Sequence, residues 1–555
     1  MLVAAVVLRV WGVKHGLPIP YNPDELSHFV PRAVGFHDTG DLNPHYFVNP
    51  PGLTYLLYGA FAVRYLGSAG VTEHFATEPG DVYLTARLVV AVLGTLSVVL
   101  LYLVGARLFD RRTGLLAAAL LAVSFLAVSW SHQATNDVPA SAAVVLSLLG
   151  SAGVFRRGRR LDYALAGAGL GLACAMKYTG GIVILPLLAA VALHHRRGRG
   201  PVAPGLLLAA AAALGTFVLF NPFSLLAPHE FAEHLDEQFL SVSSPEASEK
   251  LGQADENGGL YYLWVLTWGL GWAPLLAAAG GAVWATLRDR GIALLLLPAP
   301  VLYMLFMGLQ ERYFGRWLLP ILPIVCLLAA YGTGRMLGVL TRGRSRIAAA
   351  AATAAAVTAL LAQSLVFDIH NDLVLSREGT RNQARSWMVE NVPPSTRIFV
   401  DRVLSSPWIR DTELASWRET KRDRWRPFPL VRALAAAGLV PRDFRAEDVR
   451  GDDLTRRLDP RLLDVLEQKG VCWVVTGSTA FGRAFADPEQ VPTAIAFYQA
   501  LARRGEVAYR ASPYDPGKGP IPFNFDWAAN YYPLAYHRPG PEMIVYRLSG
   551  GACAR

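Results

Sequence analysis

The sequence is poor in charged residues, which make up 17% of its 555 residues, against roughly 25% in an average soluble domain. The shortage lies mainly before residue 366, where long apolar runs dominate. The remainder has the composition of an ordinary soluble domain. The sequence therefore excludes a single soluble globular protein and indicates a membrane part, residues 1–366, followed by a globular part, residues 367–555.

Cysteine is scarce as well, with four residues in the chain. Cys174 and Cys326 lie in apolar runs, and Cys472 and Cys553 lie in the globular part. No CxxC or Cys/His spacing typical of a metal site occurs. Two alternatives are open for Cys472 and Cys553: a disulfide, if the globular part lies outside the cytoplasm, or two free thiols.

A net charge of +9 would suit nucleic acid, but the arginines cluster in short segments between apolar runs. Such segments face the cytoplasm in membrane proteins, so we expect membrane topology and no nucleic-acid partner. The clusters are Arg107, Arg111 and Arg112; Arg156, Arg157, Arg159 and Arg160; Arg196, Arg197 and Arg199; Arg288 and Arg290; and Arg342, Arg344 and Arg346.

The apolar runs predict the number of membrane crossings, because a helix needs about 20 apolar residues to cross a bilayer. About eleven spans place all the arginine clusters on one side and the long first loop, residues 14–82, on the other side with the globular part. The first run is short, and we expect it to be a span clipped by a misplaced start codon. The runs are 1–13, 83–105, 114–131, 137–155, 162–177, 179–194, 202–221, 260–286, 291–309, 315–338 and 346–366.

The globular part mixes helical and strand patterns and predicts a small extracytoplasmic α/β domain. Near its end, Asp526-Trp527 and Tyr531-Tyr532 place aromatic rings beside a carboxylate. This combination suits either sugar binding or core packing. The predicted helices are 381–390 and 492–504, and the predicted strands are 397–400, 471–476 and 543–548.

The first loop contains two adjacent carboxylates, in Tyr21-Asn-Pro-Asp24-Glu25, directly after the first apolar run. Carboxylates at a membrane interface are costly unless they are paired or used. Asp24 could instead cap a short helix that follows it. On spacing alone, both interpretations stay open.

Further motifs follow this pair in a fixed order. They are His45-Tyr-Phe-Val-Asn-Pro50-Pro51-Gly52, Asn136-Asp137-Val-Pro139, Ala175-Met-Lys177-Tyr178, and Arg312-Tyr313 followed by Leu319-Pro320-Ile-Leu-Pro323. Together with the Asp-Glu pair, they resemble GT-C glycosyltransferases of the protein O-mannosyltransferase and aminoarabinose transferase type. The resemblance extends over about two-thirds of the chain and implies a mainly α, polytopic fold and a polyprenyl-phosphate sugar donor. The globular part lacks the repeated β-trefoil pattern of eukaryotic O-mannosyltransferases.

The resemblance also implies roles for the carboxylates: Asp24 as catalytic base, with inversion of the anomeric centre. A hydroxyl that attacks a sugar must lose its proton, which needs a positioned general base, so we predict Asp24 in this role and Glu25 orienting it or the acceptor. A departing phosphate needs positive charge. Lys177, Arg312 and Arg316 lie at outer span ends and are predicted to bind the donor phosphate.

Further residues are predicted to bind substrate: Asp137, His45, Tyr46, His132 and Tyr313. Plainer interpretations stay open for several of the polar residues. Lys177 could extend to the interface, Arg312 and Arg316 could pair with Glu311, Asp137 could cap its helix, and His132 could be an interfacial polar residue. Because a monophosphate can be neutralised by Lys and Arg alone, we predict no metal and no cofactor.

We therefore predict a multi-pass cell-membrane hexosyl- or pentosyltransferase, with its active site outside the cytoplasm. It would move a mannose-like or related sugar from a polyprenyl-phosphate carrier to a hydroxyl of a protein, lipid or glycan. Two alternatives belong to other classes. A secondary transporter would show internal repeats and ionisable residues near the bilayer midplane; a non-catalytic flippase or scaffold would not need a base beside phosphate-binding cations.

Overall fold

The structure is a computed structural model of the whole chain. It describes residues 1–197, 202–243, 251–252, 257–401, 406–410, 423–441, 443–444, 453–524, 526–527 and 531–554. The predicted arginine Arg199 lies outside the described residues.

The described residues before 376 are mostly helical. Two short π-helices, Glu25–Phe29 and Thr267–Gly271, and two 3-10 helices, Tyr178–Val183 and Gly315–Leu318, interrupt the α-helices. The α-helices are Leu2–Val10, Val30–Thr39, Gly52–Arg64, Ser68–Thr77, Pro79–Leu108, Arg111–Ala122, Phe125–Trp130, Asp137–Arg156, Arg160–Met176, Ile184–Arg196, Val202–Phe220, Phe223–Leu226, Pro228–Ser243, Gly258–Leu266, Trp272–Arg288, Arg290–Leu296, Pro298–Gly308, Leu322–Leu340 and Arg346–Leu375.

Eight helical segments of the described chain are long and apolar enough to cross a membrane. Three other predicted spans are helical but shorter: Leu2–Val10 has 9 residues, Arg160–Met176 has 17, and the third is divided into Arg111–Ala122 and Phe125–Trp130. The multi-pass helical fold is confirmed, and the number of eleven stays a prediction. The eight segments are Pro79–Leu108, Asp137–Arg156, Tyr178–Arg196, Ala203–Phe220, Gly258–Arg288, Arg290–Gly308, Leu322–Leu340 and Arg346–Asn391.

The apolar stretch 162–194 forms two helices, as predicted. The break lies at Lys177, whose backbone is extended with φ −157° and ψ 124°. The next residues form a 3-10 turn before the second helix begins at Ile184. Lys177 therefore stands at a helix end.

Contacts among the arginine clusters place three of them at one end of the helices. Arg107 lies 3.5 Å and Arg157 lies 3.1 Å from the carboxylate of Asp162. Arg197 donates to the carbonyl of Phe155 at 3.1 Å. The side of the membrane that this end faces stays a prediction.

The described residues of the globular part form a five-stranded mixed sheet with the order β2-β1-β3-β5-β4. Strand β1 is parallel to β2 and β3, whereas β5 is antiparallel to both β3 and β4. The predicted small α/β domain is confirmed, while its boundary with the membrane part stays a prediction. The strands are β1 Arg397–Val400, β2 Arg426–Pro427, β3 Trp473–Gly477, β4 Gly505–Ala511 and β5 Met543–Leu548, and the α-helices are Thr380–Asn391, Leu430–Ala436, Asp453–Arg456, Arg461–Gln468, Ser478–Ala486 and Pro492–Arg504.

The globular part contacts the helical part through aromatic side chains that are buried or partly buried. The ring of Trp527 lies 5.1 Å from that of Trp264, and the ring of Tyr531 lies 4.6 Å from that of Trp268. Asp526 and Tyr531 are almost fully buried. Core packing therefore describes Asp526 and Tyr531, while both interpretations stay open for the partly buried Trp527 and Tyr532.

The structure favours the disulfide over two free thiols, because Cys472 and Cys553 are bonded, with their Cα atoms 5.4 Å apart. We expect only Cys174 and Cys326 to react with an alkylating reagent in the denatured, unreduced protein, and all four cysteines to react after reduction. Cys472→Ser should destabilise the domain by about 2–5 kcal/mol. Mass spectrometry of the alkylated chain counts the thiols that have reacted. Four reactive thiols before reduction would contradict the bond.

Candidate active site

A cavity of about 720 Å³ lies at the end of the helices that carries the first loop. Residues far apart in the sequence meet in it, from the first loop, the Asp137–Arg156 helix, the break at Lys177 and the turn before Leu322. Its walls are formed by Asp24, His28, Tyr46, Val48, Asn49, Pro50, Asn136, Asp137, Lys177, Tyr178, Thr179, Leu235, Asp236, Glu237, Gln238, Phe239, Phe306, Met307, Gln310, Arg312, Phe314, Arg316 and Trp317.

The carboxylate of Asp24 faces this cavity and does not cap a helix. Its own side chain accepts no capping hydrogen bond. The side-chain oxygen of Asn22 instead accepts from the backbone N–H of Asp24 at 2.9 Å and of Glu25 at 3.3 Å. This local turn leaves the Asp24 carboxylate available, and its side chain is 27% exposed. The capping interpretation of Asp24 is wrong.

Two cations and two carboxylates form a network across the cavity. The guanidinium of Arg316 lies 3.2 Å from Asp24 Oδ2 and 3.6 Å from Asp137 Oδ2. The ammonium of Lys177 donates to the other oxygen of Asp137. Asp137 is buried in the first turn of its helix. Burial of so many charges is tolerable only because they compensate one another.

Aromatic rings support the arginines. The guanidinium carbon of Arg316 lies 4.4 Å from the ring centre of Phe314 and 4.8 Å from that of Trp130. Arg312 lies 5.0 Å from the same Phe314 ring. Cation–π contacts of this kind favour a fixed orientation of the positive charge. Both predicted arginines therefore line the cavity from one side.

Tyr46 also lines the cavity, as part of a stack. Its ring lies parallel to that of His28 at 4.6 Å, and the Arg32 guanidinium carbon lies 4.2 Å from its centre. Asn49 donates to its hydroxyl at 3.0 Å. Burial raises the pKa of Tyr46 to about 12. Burial lowers the pKa of His28, and the Asp24 carboxylate only partly opposes this effect.

We expect Tyr46→Ala to raise the KM for one substrate by roughly two- to tenfold, because aromatic contacts contribute about 0.5–1.5 kcal/mol. Tyr46→Phe keeps the ring and serves as the matched control, with a KM close to that of the wild type. Initial rates at varied donor and acceptor concentrations measure the effect. Equal constants for the two variants would exclude a contact between the ring and a substrate.

Glu25 lies outside the cavity. Both of its oxygens are bound by Arg87, at 2.7 and 2.8 Å, and one also accepts from the backbone N–H of Ala134 at 3.1 Å. Glu25 and Arg87 are at most 1% exposed. The predicted contact of Glu25 with an acceptor is therefore wrong. The other predicted role of Glu25 is to orient Asp24. It would do so by fixing the backbone next to Asp24 through its bonds to Arg87 and Ala134.

Three other predicted substrate contacts also lie away from the cavity walls. His45 is mostly exposed and pairs with Asp41 at 3.1 Å and Glu230 at 3.0 Å. The ring nitrogens of His132 lie 2.8 and 3.0 Å from the backbone carbonyls of Trp11 and Val128, which explains its full burial. Tyr313 is buried against the ring of Tyr261 at 4.6 Å. The cavity brings together the other predicted site residues: Asp24, Tyr46, Asp137, Lys177, Arg312 and Arg316.

Sequence reasoning missed several residues of the cavity walls. His28 stands one helical turn after Asp24, with its ring nitrogen 3.9 Å from the Asp24 carboxylate, and the spacing of four residues was a usable signal. Trp317, whose ring centre lies 5.9 Å from the Lys177 nitrogen, adjoins a predicted residue. Asp236 and Glu237 come from the Pro228–Ser243 helix, which no motif marked. Within the described residues, no group of three or more potential ligands could hold a metal ion.

Comparison with known proteins agrees with this architecture. Residues 75–224 match the family model described as dolichyl-phosphate-mannose-protein mannosyltransferase. A search of curated protein sequences found no match.

Solved structures resemble the chain over most of its length. ArnT from Cupriavidus metallidurans, bound to undecaprenyl phosphate, shares 15% identity with a TM-score of 0.51, covering 98% of this chain and 97% of that chain. The Archaeoglobus fulgidus oligosaccharyltransferase in complex with zinc and sulfate shares 15% identity with a TM-score of 0.50, covering 92% of this chain and 72% of that chain. The resemblance stated from the sequence is confirmed. The chain therefore shares the polytopic, mainly helical membrane fold of these solved structures, as the sequence resemblance implied.

Proposed function

We propose that the chain transfers a sugar from a polyprenyl-phosphate carrier to a hydroxyl acceptor at the outer membrane face. The observation that carries this proposal is the shared cavity of Asp24, Lys177 and Arg316. It combines a partly exposed carboxylate with two cations, which is what a hydroxyl nucleophile and a phosphate leaving group require.

The proposed reaction is a single displacement. The acceptor oxygen forms a bond to the anomeric carbon while its proton passes to the Asp24 carboxylate. The bond from the anomeric carbon to the phosphate oxygen breaks, and its electron pair leaves with the polyprenyl phosphate. Attack opposite to the leaving group inverts the anomeric centre.

Arg316 and Lys177 are placed to stabilise the departing phosphate. Both side chains are largely buried, with exposures of 14% and 13%, and charges act more strongly where water is excluded. Asp137 contacts both cations and so keeps them at one edge of the cavity. Arg312 on the same wall extends the positive surface. These groups allow a monophosphate to leave without a metal ion, which is the basis for proposing metal independence.

Other features support a lipid-linked donor. The cavity has an apolar portion formed by Leu235, Phe239, Phe306 and Met307 beside the charged groups, which suits a carrier with a hydrocarbon tail. The Cupriavidus protein of similar fold is described with undecaprenyl phosphate bound. The proposed sugar is a mannose-like hexose or a related pentose, and the proposed acceptor is a protein, lipid or glycan. Membrane lipids would surround the spans.

The test is transfer by membranes that contain the wild-type chain. Radiolabelled polyprenyl-phosphate mannose, glucose and aminoarabinose are supplied in turn, each with and without a chelator of divalent ions. We expect label in an acceptor with one lipid-linked donor, unaffected by the chelator. Transfer from nucleotide sugars alone, or from none of the lipid-linked donors, would overturn the proposal. Loss of transfer with the chelator would overturn metal independence only.

A further inference from the structure

A carboxylate of the globular part accepts a hydrogen bond from the turn that carries Arg312 and Arg316. Asp526 Oδ2 accepts a hydrogen bond from the backbone N–H of Gly315 at 2.7 Å. The hydroxyl of Tyr261 donates to the same oxygen. Asp526 is completely buried. Gly315 directly precedes Arg316, so this bond sets the start of the turn from which the Arg316 side chain extends.

Gly315 approaches Asp526 so closely that a side chain at this position would crowd its neighbours. A Cβ atom at this position would lie 3.0 Å from Asp526 Oδ2, 3.2 Å from Val265 Cγ1 and 3.3 Å from Tyr531 Oη. All three distances are tighter than ordinary van der Waals contact. A glycine at position 315 therefore allows this turn to pack closely against the globular part.

A second contact supports the Arg316 guanidinium itself. The indole N–H of Trp130 donates to the hydroxyl of Tyr531 at 2.6 Å, and Trp130 is fully buried. The guanidinium carbon lies 4.8 Å from the centre of the Trp130 ring. The globular part thus supports Arg316 through the backbone before it and through the ring beneath it.

We infer that Asp526 is a positioning residue for the donor phosphate, acting through Gly315 on Arg316. This inference rests on the proposed function of the cavity. A charged acceptor binds N–H and O–H donors more strongly than a neutral one, and an arginine that must meet both Asp24 and a phosphate needs a fixed backbone. The globular part therefore completes the donor site.

The test compares donor and acceptor KM in purified full-length protein. We expect Asp526→Ala to raise the donor KM by about ten- to a hundredfold, as for loss of a hydrogen bond to a charged group, with the acceptor KM unchanged. Asp526→Asn keeps one acceptor oxygen for Gly315 and should lie between Asp526→Ala and the wild type. If Asp526→Ala does not fold, the donor KM of Asp526→Asn tests the inference instead.

Asp401→Ala is the matched control. Asp401 is likewise a buried carboxylate of the globular part, and it accepts from the hydroxyls of Thr476 and Tyr498, both at 2.8 Å. Both of these partners belong to the globular part. We expect this variant to lower the melting temperature without raising the donor KM. An equal rise in donor KM in Asp401→Ala, or an unchanged donor KM in both Asp526 variants, would overturn the inference.

Binding of undecaprenyl phosphate, measured by native mass spectrometry, separates the inference from the proposed function. Absence of transfer by the wild type overturns the proposed function, while the binding series still decides the role of Asp526. We expect the wild type and Asp401→Ala to bind equally, and Asp526→Ala to bind about ten- to a hundredfold more weakly. Equal binding by all three would overturn the inference.

Discussion

Replacing Asp24 by Asn is expected to reduce sugar transfer by about 10²–10⁴-fold, the usual effect of removing a general base. The amide has nearly the same shape but cannot accept the acceptor's proton. It can still accept a hydrogen bond from Arg316, which contacts Asp24 at 3.2 Å. Donor binding should therefore change little, and the loss should lie in kcat. Initial rates with a radiolabelled lipid-linked donor measure the effect at matched protein levels.

Asp41→Asn provides the control for this measurement. Asp41 lies in the same loop, but its side chain is 57% exposed and pairs with His45 outside the cavity walls. We expect a rate close to that of the wild type. Transfer by Asp24→Asn at the wild-type rate would exclude Asp24 as the base and leave Asp137 as the remaining carboxylate of the network. A loss equal in both variants would point to the loop as a whole.

Replacing Arg87 by Met is expected to destabilise the protein by about 3–5 kcal/mol, because it leaves the buried Glu25 carboxylate without its partner. Arg87 also donates to the backbone carbonyls of Val13 and His15, both at 2.7 Å. It therefore joins the turns that follow the first helix, the Glu25 segment of the first loop and the Pro79–Leu108 helix. Thermal melting of the detergent-solubilised protein measures the loss of stability.

The double variant Glu25→Leu, Arg87→Met tests the reason for this loss. Removing both charges leaves no unpaired carboxylate, so the double variant should be more stable than Arg87→Met alone. Arg64→Met changes an exposed arginine at the end of the Gly52–Arg64 helix and should melt like the wild type. If Arg87→Met melts at the same temperature as the wild type, the Glu25–Arg87 pair does not stabilise the first loop.

Much of the cavity could be predicted because its polar residues lie at the ends of apolar runs. Lys177 interrupts an apolar stretch, and Asp137 opens one, so both stand out from their surroundings. Arg316 follows the same rule. The predicted strand 397–400 and helix 492–504 also match the structure, because alternation and helical periodicity are local properties.

Contacts between residues that lie far apart in the sequence could not be predicted in this way. Nothing near Glu25 indicates that its partner is Arg87, 62 residues later, and the motif therefore suggested two functional carboxylates instead of one. The break between Arg111–Ala122 and Phe125–Trp130 has a similar cause. No glycine or proline marks it, and the Ser124 hydroxyl donates to the carbonyl of Gly269, 145 residues away. Such contacts exist only in the folded chain.

The strand order of the globular part also determines when this part can be completed during biosynthesis. Strand β5 is the last of the five strands in sequence, yet it lies between β3 and β4. Until β5 has left the ribosome, β4 lacks the strand with which it pairs, and the inner edge of β3 is open. Open strand edges are prone to aggregation. The sheet must therefore close after β5 has been synthesised, whereas the helices before residue 375 precede it along the chain.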